Sequence, residues 1–325
     1  MGSMNPEPAT KILSPPEASG PIPSWIRKRV ARISPRSIRR AGSLLGLIFY
    51  SLDFQHRRIV KRNLRFAYPH ATASHLRQTA RGVFQSLGIT ILEMLLMVCW
   101  SARDLKQQVR VVGEEHIRQA LAAGRGAIVI SAHIGNWEIA LAYGGCFLGL
   151  PVTAIVKRMR FGPLDRWLTG QRSRFGTRIR YKQQALSEMM EVMRRKEALA
   201  ILIDQSKRSE GVPVQFFGAE TITTSVAALL ARRYKSPVIP IFCIRMPDGQ
   251  LTIRVEPPLE LERSRQMRAD FQRNAQLMTD VVERMVREYP QQWFWFHKRW
   301  KKAYPSLYPE YFQRRAKRKA RERHK

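Results

Sequence analysis

His133 and Glu138, five positions apart, form the pair in this 325-residue chain best suited to moving a proton. An imidazole whose tautomer is fixed by a carboxylate can accept a hydroxyl proton near neutral pH. The spacing decides whether they can meet. On one helix, residues five positions apart point about 140° away from each other. With His133 in a loop and Glu138 on a first helical turn, the carboxylate comes within reach of a ring nitrogen. The surrounding sequence, GAIVISAHIGNWEI from Gly126 to Ile139, predicts that arrangement. Ala127–Ser131 reads as a buried strand, a polar break follows, and helical apolar spacing starts at Trp137. Asn136 suits the N-cap, and Glu138 then sits near the positive helix end. The pair would lie at the carboxyl end of a strand, where open α/β sheets bind ligands. The alternative is ordinary: a histidine that caps or packs, and a first-turn acid without a role.

Three further stretches carry site material. Lys157-Arg158-Met159-Arg160, with Arg172 and Arg174 beyond, suits a phosphate or an oxyanion. Read alone it is a solvated charge run. Asp204-Gln205 directly follows the apolar run Ala198–Ile203, placing a carboxylate at a strand end, or merely a turn cap. From Pro290 to Lys302, three tryptophans interleave with five basic groups, counting His297. That pattern fits base stacking or a belt at a membrane interface. There is no G-x-S-x-G elbow, P-loop or H-E-x-x-H, and Gly124-Arg-Gly126 precedes its strand, so it is no dinucleotide fingerprint.

The elements needed to position these residues are legible in the spacing. Short apolar runs at 109–112, 127–131, 152–156, 198–203, 212–217, 238–244 and 251–255 read as strands. Helical spacing recurs at 74–100, 115–123, 137–148, from Pro163, at 186–193, 223–234 and 271–289. On the first of these, Val83, Leu87, Ile91, Leu95 and Val98 form a stripe expected to face the core. Strand and helix alternate, which predicts an α/β fold with a largely parallel central sheet flanked by helices.

Lys plus Arg number 57 against 25 Asp plus Glu, a net charge of +32, so the surface favours polyanions. Cys99, Cys146 and Cys243 offer neither zinc spacing nor a disulfide framework; neither metal nor cofactor is expected. Residues 1–24 hold six prolines and read as a disordered tail, and 306–325 as a basic tail. Residues 25–105 read as an N-terminal helical, membrane-associating region and 106–305 as the α/β domain. Between Trp25 and Arg65 stand twelve Lys or Arg and one acid, Asp53, around the apolar Leu44–Tyr50. This is an interfacial anchor or a helix packed on the core. No uninterrupted run reaches the ~20 apolar residues of a membrane span.

These motifs together resemble the bacterial lipid A biosynthesis (lauroyl/myristoyl) acyltransferases of the lysophospholipid acyltransferase superfamily. The matching residues are Arg62-Asn63-Leu64 with Tyr68-Pro69, His133-x4-Glu138, Arg172 to Gly176, Asp204-Gln205, Val214 to Gly218, Pro240, and Pro290–Lys302, spread over roughly 42–305. The resemblance implies an enzyme on the cytoplasmic face of the inner membrane. It would move a fatty acyl group from acyl carrier protein, or acyl-CoA, to a glycolipid hydroxyl. His133 would be the general base with Glu138 its partner, and Arg158, Arg172, Asp204 and Gln205 would bind substrate. Expected partners are the acyl donor, the glycolipid acceptor and an anionic membrane surface. Direct transfer is favoured over a covalent route through Ser131, which has no elbow to expose it. The competing reading, a basic nucleic-acid-binding protein, rests on charge and the Arg314–Lys325 tail alone; no nucleic acid is expected.

Overall fold

The computed structural model describes residues 23–159, 161–181, 185–205 and 211–313. The expected N-terminal tail up to residue 22, Arg160, and the tail beyond residue 313 lie outside the described residues.

Seven strands form the central sheet: β1 (Val109–Val112), β2 (Ala127–Ser131), β3 (Val152–Val156), β4 (Thr177–Tyr181), β5 (Ala198–Leu202), β8 (Val238–Arg245) and β9 (Leu251–Val255). Their order is β1-β9-β8-β2-β5-β3-β4, and every neighbouring pair is parallel except β8–β9. A separate antiparallel hairpin comprises β6 (Val212–Phe216) and β7 (Ala219–Thr223). The expected largely parallel sheet is present.

Alternating side chains send each strand's residues to two apolar layers. Ile128, Ile130, Leu199 and Ile201 pack with α9 (Ala185–Arg194), α10 (Val226–Tyr234) and α11 (Met267–Glu288). Ala127, Ile239 and Val129 meet α5 (Ala102–Gln108), α6 (Glu114–Ala122) and α7 (Trp137–Phe147) on the other face. Strand β4 was not expected. It lies at the sheet edge, where exposed Arg178 and Arg180 interrupt its apolar pattern and keep the edge from pairing with other chains.

Among the described residues four helices lead up to α5 and the sheet: α1 (Ser24–Ala31), α2 (Pro35–Leu52), α3 (Phe54–Ala67) and α4 (Ala73–Met97). Val60, Leu64 and Phe84 share one core with Ile128, Met278 and Trp300. Gly42, Gly46 and Gly88 let α2 and α4 meet backbone to backbone, since a Cβ on any of them would strike the opposite helix. The stripe expected to be core is turned about the α4 axis: Leu95 is exposed and Leu87 and Ile91 are half-buried. The side facing inward carries Gly88, Thr90 and Glu93 instead, because α2 needs the glycine and Arg245 needs the acid. At 25 residues and mean hydropathy 1.3 over its best window, α4 has the length and composition to span a bilayer, although uninterrupted runs did not suggest it. More than half of that window, 56%, is buried inside the protein.

Candidate active site

Parallel register brings the key residues together. Ser131 on β2 pairs with Leu202 on β5, and two residues further along each chain stand His133 and Asp204. Asp204 Oδ2 accepts the His133 backbone N–H at 3.0 Å, and Oδ1 lies 2.8 Å from His133 Nδ1. Trp293 Nε1 donates to Oδ2 at 2.9 Å. Burial opposes charge on Asp204, but the facing imidazole, its backbone N–H and the indole outweigh it and hold the carboxyl well below the usual carboxylate range. An ionised acceptor on Nδ1 puts the ring proton there and leaves Nε2 with its lone pair. Gln205's side-chain amide lies 3.4 Å from Nε2, and Trp137 and Phe294 pack around the ring.

The expected partnership of His133 with Glu138 is therefore corrected. Glu138 does sit on the first turn of α7, which Asn136 caps by accepting the Ile139 N–H at 3.1 Å. Both its oxygens, however, are taken by Arg172, from Nε at 2.8 Å and Nη2 at 2.5 Å. The guanidinium fork matches a carboxylate better than an imidazole does, and α8 (Gly162–Arg174) delivers it. Burial lowers the Arg172 pKa, yet the Glu138 bonds and charge carry it above the ordinary value. Arg174, expected among anion ligands, instead donates to the Val98 and Met97 carbonyls and closes the end of α4.

The loop holding His133 is fixed by residues that the sequence pattern did not mark. Gly135 has φ +57, and a Cβ there would run into the Cys243 carbonyl, so only glycine lets the loop dock on β8. Asn136 donates to Glu93 Oε2 at 2.8 Å, and Glu93 pairs with Arg245 through Nε at 2.8 Å and Nη2 at 2.5 Å. Thr90 donates to the Gly135 carbonyl and accepts from Arg245. A single acid, Glu93, interrupting the apolar second half of α4 was the available signal for this network.

The aromatic–basic stretch is neither a membrane belt nor a stacking platform. Trp293, Trp295, Trp300 and Arg299 are at most 1% exposed, and each indole has an acceptor: Asp204, Pro290 O and Phe216 O. Asn63, from the Arg-Asn-Leu motif, donates to the Trp295 and His297 carbonyls and so ties α3 to this segment. Burial, followed by the nearby Lys301 charge, lowers the His297 pKa to about 3, leaving that ring neutral near neutral pH.

A cavity of about 1150 Å³ opens at His133. Its outer end is polar, lined by Ser131, His133, Glu138, Lys157, Arg158, Arg172 and Gln205. It continues between the sheet and α7 past Ala140, Gly144, Ala154 and Ala200 to Leu148 and Val152. Exposed Lys157 and Arg158 bring cations to its rim, with Arg158 stacked 4.6 Å from the Tyr181 ring. Five of the six expected site residues (His133, Glu138, Arg158, Arg172 and Gln205) line this cavity, and Asp204 supports it from beneath His133.

Known proteins are similar to this chain in sequence. The chain is 28% identical over 286 residues to the lipid A biosynthesis lauroyltransferase of Escherichia coli K12, covering 83% of this chain and 88% of the relative. A lipid A biosynthesis acyltransferase of Haemophilus influenzae is 27% identical over 72% of each chain. The phosphatidylinositol mannoside acyltransferase of Mycolicibacterium smegmatis is 26% identical over 60% of this chain and 64% of its own. The sequence signature of the bacterial lipid A biosynthesis acyltransferases runs through residues 25–302, spanning both the N-terminal helices and the sheet. This chain is an acyltransferase and belongs to that family.

Proposed function

We propose that the enzyme transfers a fatty acyl chain from a thioester, carried by acyl carrier protein or acyl-CoA, directly to a hydroxyl of a lipid A precursor or related glycolipid, with His133 as general base. The observation that carries this reading is the His133 ring at the head of a long apolar cavity, its Nδ1 locked by buried Asp204 and its Nε2 left to act. Nε2 takes the acceptor's hydroxyl proton as the oxygen attacks the thioester carbonyl. The carbon–sulfur bond then breaks, and the imidazolium returns the proton to the departing thiolate. Base assistance of this kind contributes about 10²–10⁴-fold. Arg158 and Lys157 suit the acceptor's anionic groups, whereas Arg172 holds Glu138 and the α7–α8 wall in place.

A membrane setting is supported by an inverted helix. Toward the protein α2 buries Ile38, Gly42 and Gly46, and outward it turns Leu44, Ile48 and Leu52, which are 46–71% exposed. Soluble helices bury leucines; burying glycines and exposing leucines is what lipid rewards. Basic residues of α1 to α3 suit anionic headgroups, and acyl carrier protein, being acidic, suits the same +32 surface. On this reading the protein works at the cytoplasmic face of the inner membrane.

The test is acyl transfer by purified protein from thioester donors of graded chain length to a lipid A precursor. Gly144 sharpens it. A Cβ built there meets nothing closer than Val152 Cγ2 at 4.0 Å, so this mid-helix glycine faces open cavity. The acyl chain would run about 16 Å beside α7 from Trp137 to Leu148 at 1.5 Å per residue. Gly144→Leu should shift donor preference to shorter chains by about tenfold or more in relative kcat/KM, the scale of overpacking by 1–3 kcal/mol. An unchanged chain-length profile would remove the acyl chain from this cavity.

A further inference from the structure

We propose that the loop joining β3 to α8, with the first turn of α9, is a second membrane contact that seats the cavity mouth on an anionic bilayer. This rests on the acyl-transfer reading, because a bilayer-held acceptor must reach His133. Four large apolar side chains are exposed here: Met159 at 40%, Phe161 at 66%, Leu164 at 39% and Leu186 at 48%. Met159 and Leu186 line the cavity rim, so the patch adjoins the entrance.

The exposure is built into the loop. Asp165, itself buried, accepts the Met159 N–H at 2.8 Å and the Tyr181 hydroxyl at 2.8 Å. The Asp165 N–H in turn reaches the Phe161 carbonyl at 3.1 Å. The chain is thus folded over an inward carboxylate while its apolar residues stay outside, an expense that only a covering partner recovers. Charge complementarity selects the partner. Lys157 and Arg166 have no partner among the described residues, and Asp165, the only acid between 157 and 166, is turned inward. An aromatic apex beside Gly162-Pro163 with cations on its rim matches the headgroup boundary of an anionic membrane. An acidic carrier protein would be met chiefly through cations, with no call for a two-thirds-exposed phenylalanine.

The experiment uses the double variant Phe161→Ser/Leu164→Ser, two residues outside the cavity lining. Transfer to a lipid A precursor is measured in phosphatidylglycerol-containing vesicles and in neutral detergent micelles. In parallel, a polarity-sensitive fluorophore on Phe161→Cys reports bilayer contact, the native cysteines being buried. Expected is a loss of about tenfold or more in vesicles, unchanged micellar transfer, and a blue shift of the label on vesicles. Equal losses in both formats, or none in either, would overturn the proposal. A raised KM for acyl carrier protein in both formats would assign the patch to the carrier instead. Failure of the parent enzyme to transfer in either format, with the label still blue-shifting, would count against the acyl-transfer reading and not against the contact.

Discussion

Asp204→Asn is expected to lower kcat for acyl transfer by about 10²–10⁴-fold with little change in donor KM. The carboxylate fixes the proton on Nδ1 and stabilises the imidazolium formed during attack; an amide does neither reliably. An NH2 in the place of Oδ2 also faces two donors, the His133 backbone N–H and the Trp293 indole, costing about 1–3 kcal/mol of stability. Because the Asp204 carboxyl lies well below the usual range, it is ionised throughout pH 5–9, and the pH profile there does not report on it. Its contribution to stability is complete above its unfolded value of about 3.9 and is lost as pH falls through the lower folded value. Glu138→Gln, which loosens the Arg172 clamp and the bond from the Trp137 indole but leaves Asp204 on His133, should be milder in kcat. Steady-state kinetics with thermal melts on both variants checks this order, and a Glu138→Gln defect larger than that of Asp204→Asn would return the orienting role to Glu138.

Glu93→Ala should cost about 3–5 kcal/mol, because it leaves Arg245 charged in the interior without its partner. The two residues are 4% and 6% exposed. Burial works to lower the Arg245 pKa and the Glu93 charge and bonds raise it above the ordinary value; without Glu93 that support is lost, yet a guanidinium starts so far above neutrality that it keeps its proton. The same change strips Asn136 of an acceptor and frees the His133 loop, so activity should fall with stability. The double variant Glu93→Leu/Arg245→Met, which removes both charges, should recover most of the stability. Denaturant unfolding of both proteins tests this; a Glu93→Ala protein within about 1 kcal/mol of the parent would show that the pair contributes little.

Local sequence carried most of the strands, though not β4 or β7, together with the Asn136 cap and the loop-to-helix setting of His133, because apolar runs and capping chemistry are written in neighbouring residues. The carboxylate at His133 was not legible in that way. Glu138 was nearest in sequence, but Asp204, 71 residues on, is nearest in space because β2 and β5 pair in register. Strand β4 was hidden by edge arginines, and the outward rotation of the α4 stripe by the needs of Gly88 and Glu93. Trp293 looked like a surface belt residue because composition does not reveal that its indole has a buried carboxylate to donate to.

Single-turnover acyl transfer by His133→Ala tests the central claim most directly. His133 is partly exposed at the cavity head, so the variant should keep its fold, which a thermal melt verifies. With the Nε2 acceptor gone, transfer from the thioester to the lipid A precursor should fall by about 10²–10⁴-fold, with no acyl-enzyme accumulating on Ser131 in the parent. A folded His133→Ala protein that turns over at the parent's rate would contradict the account.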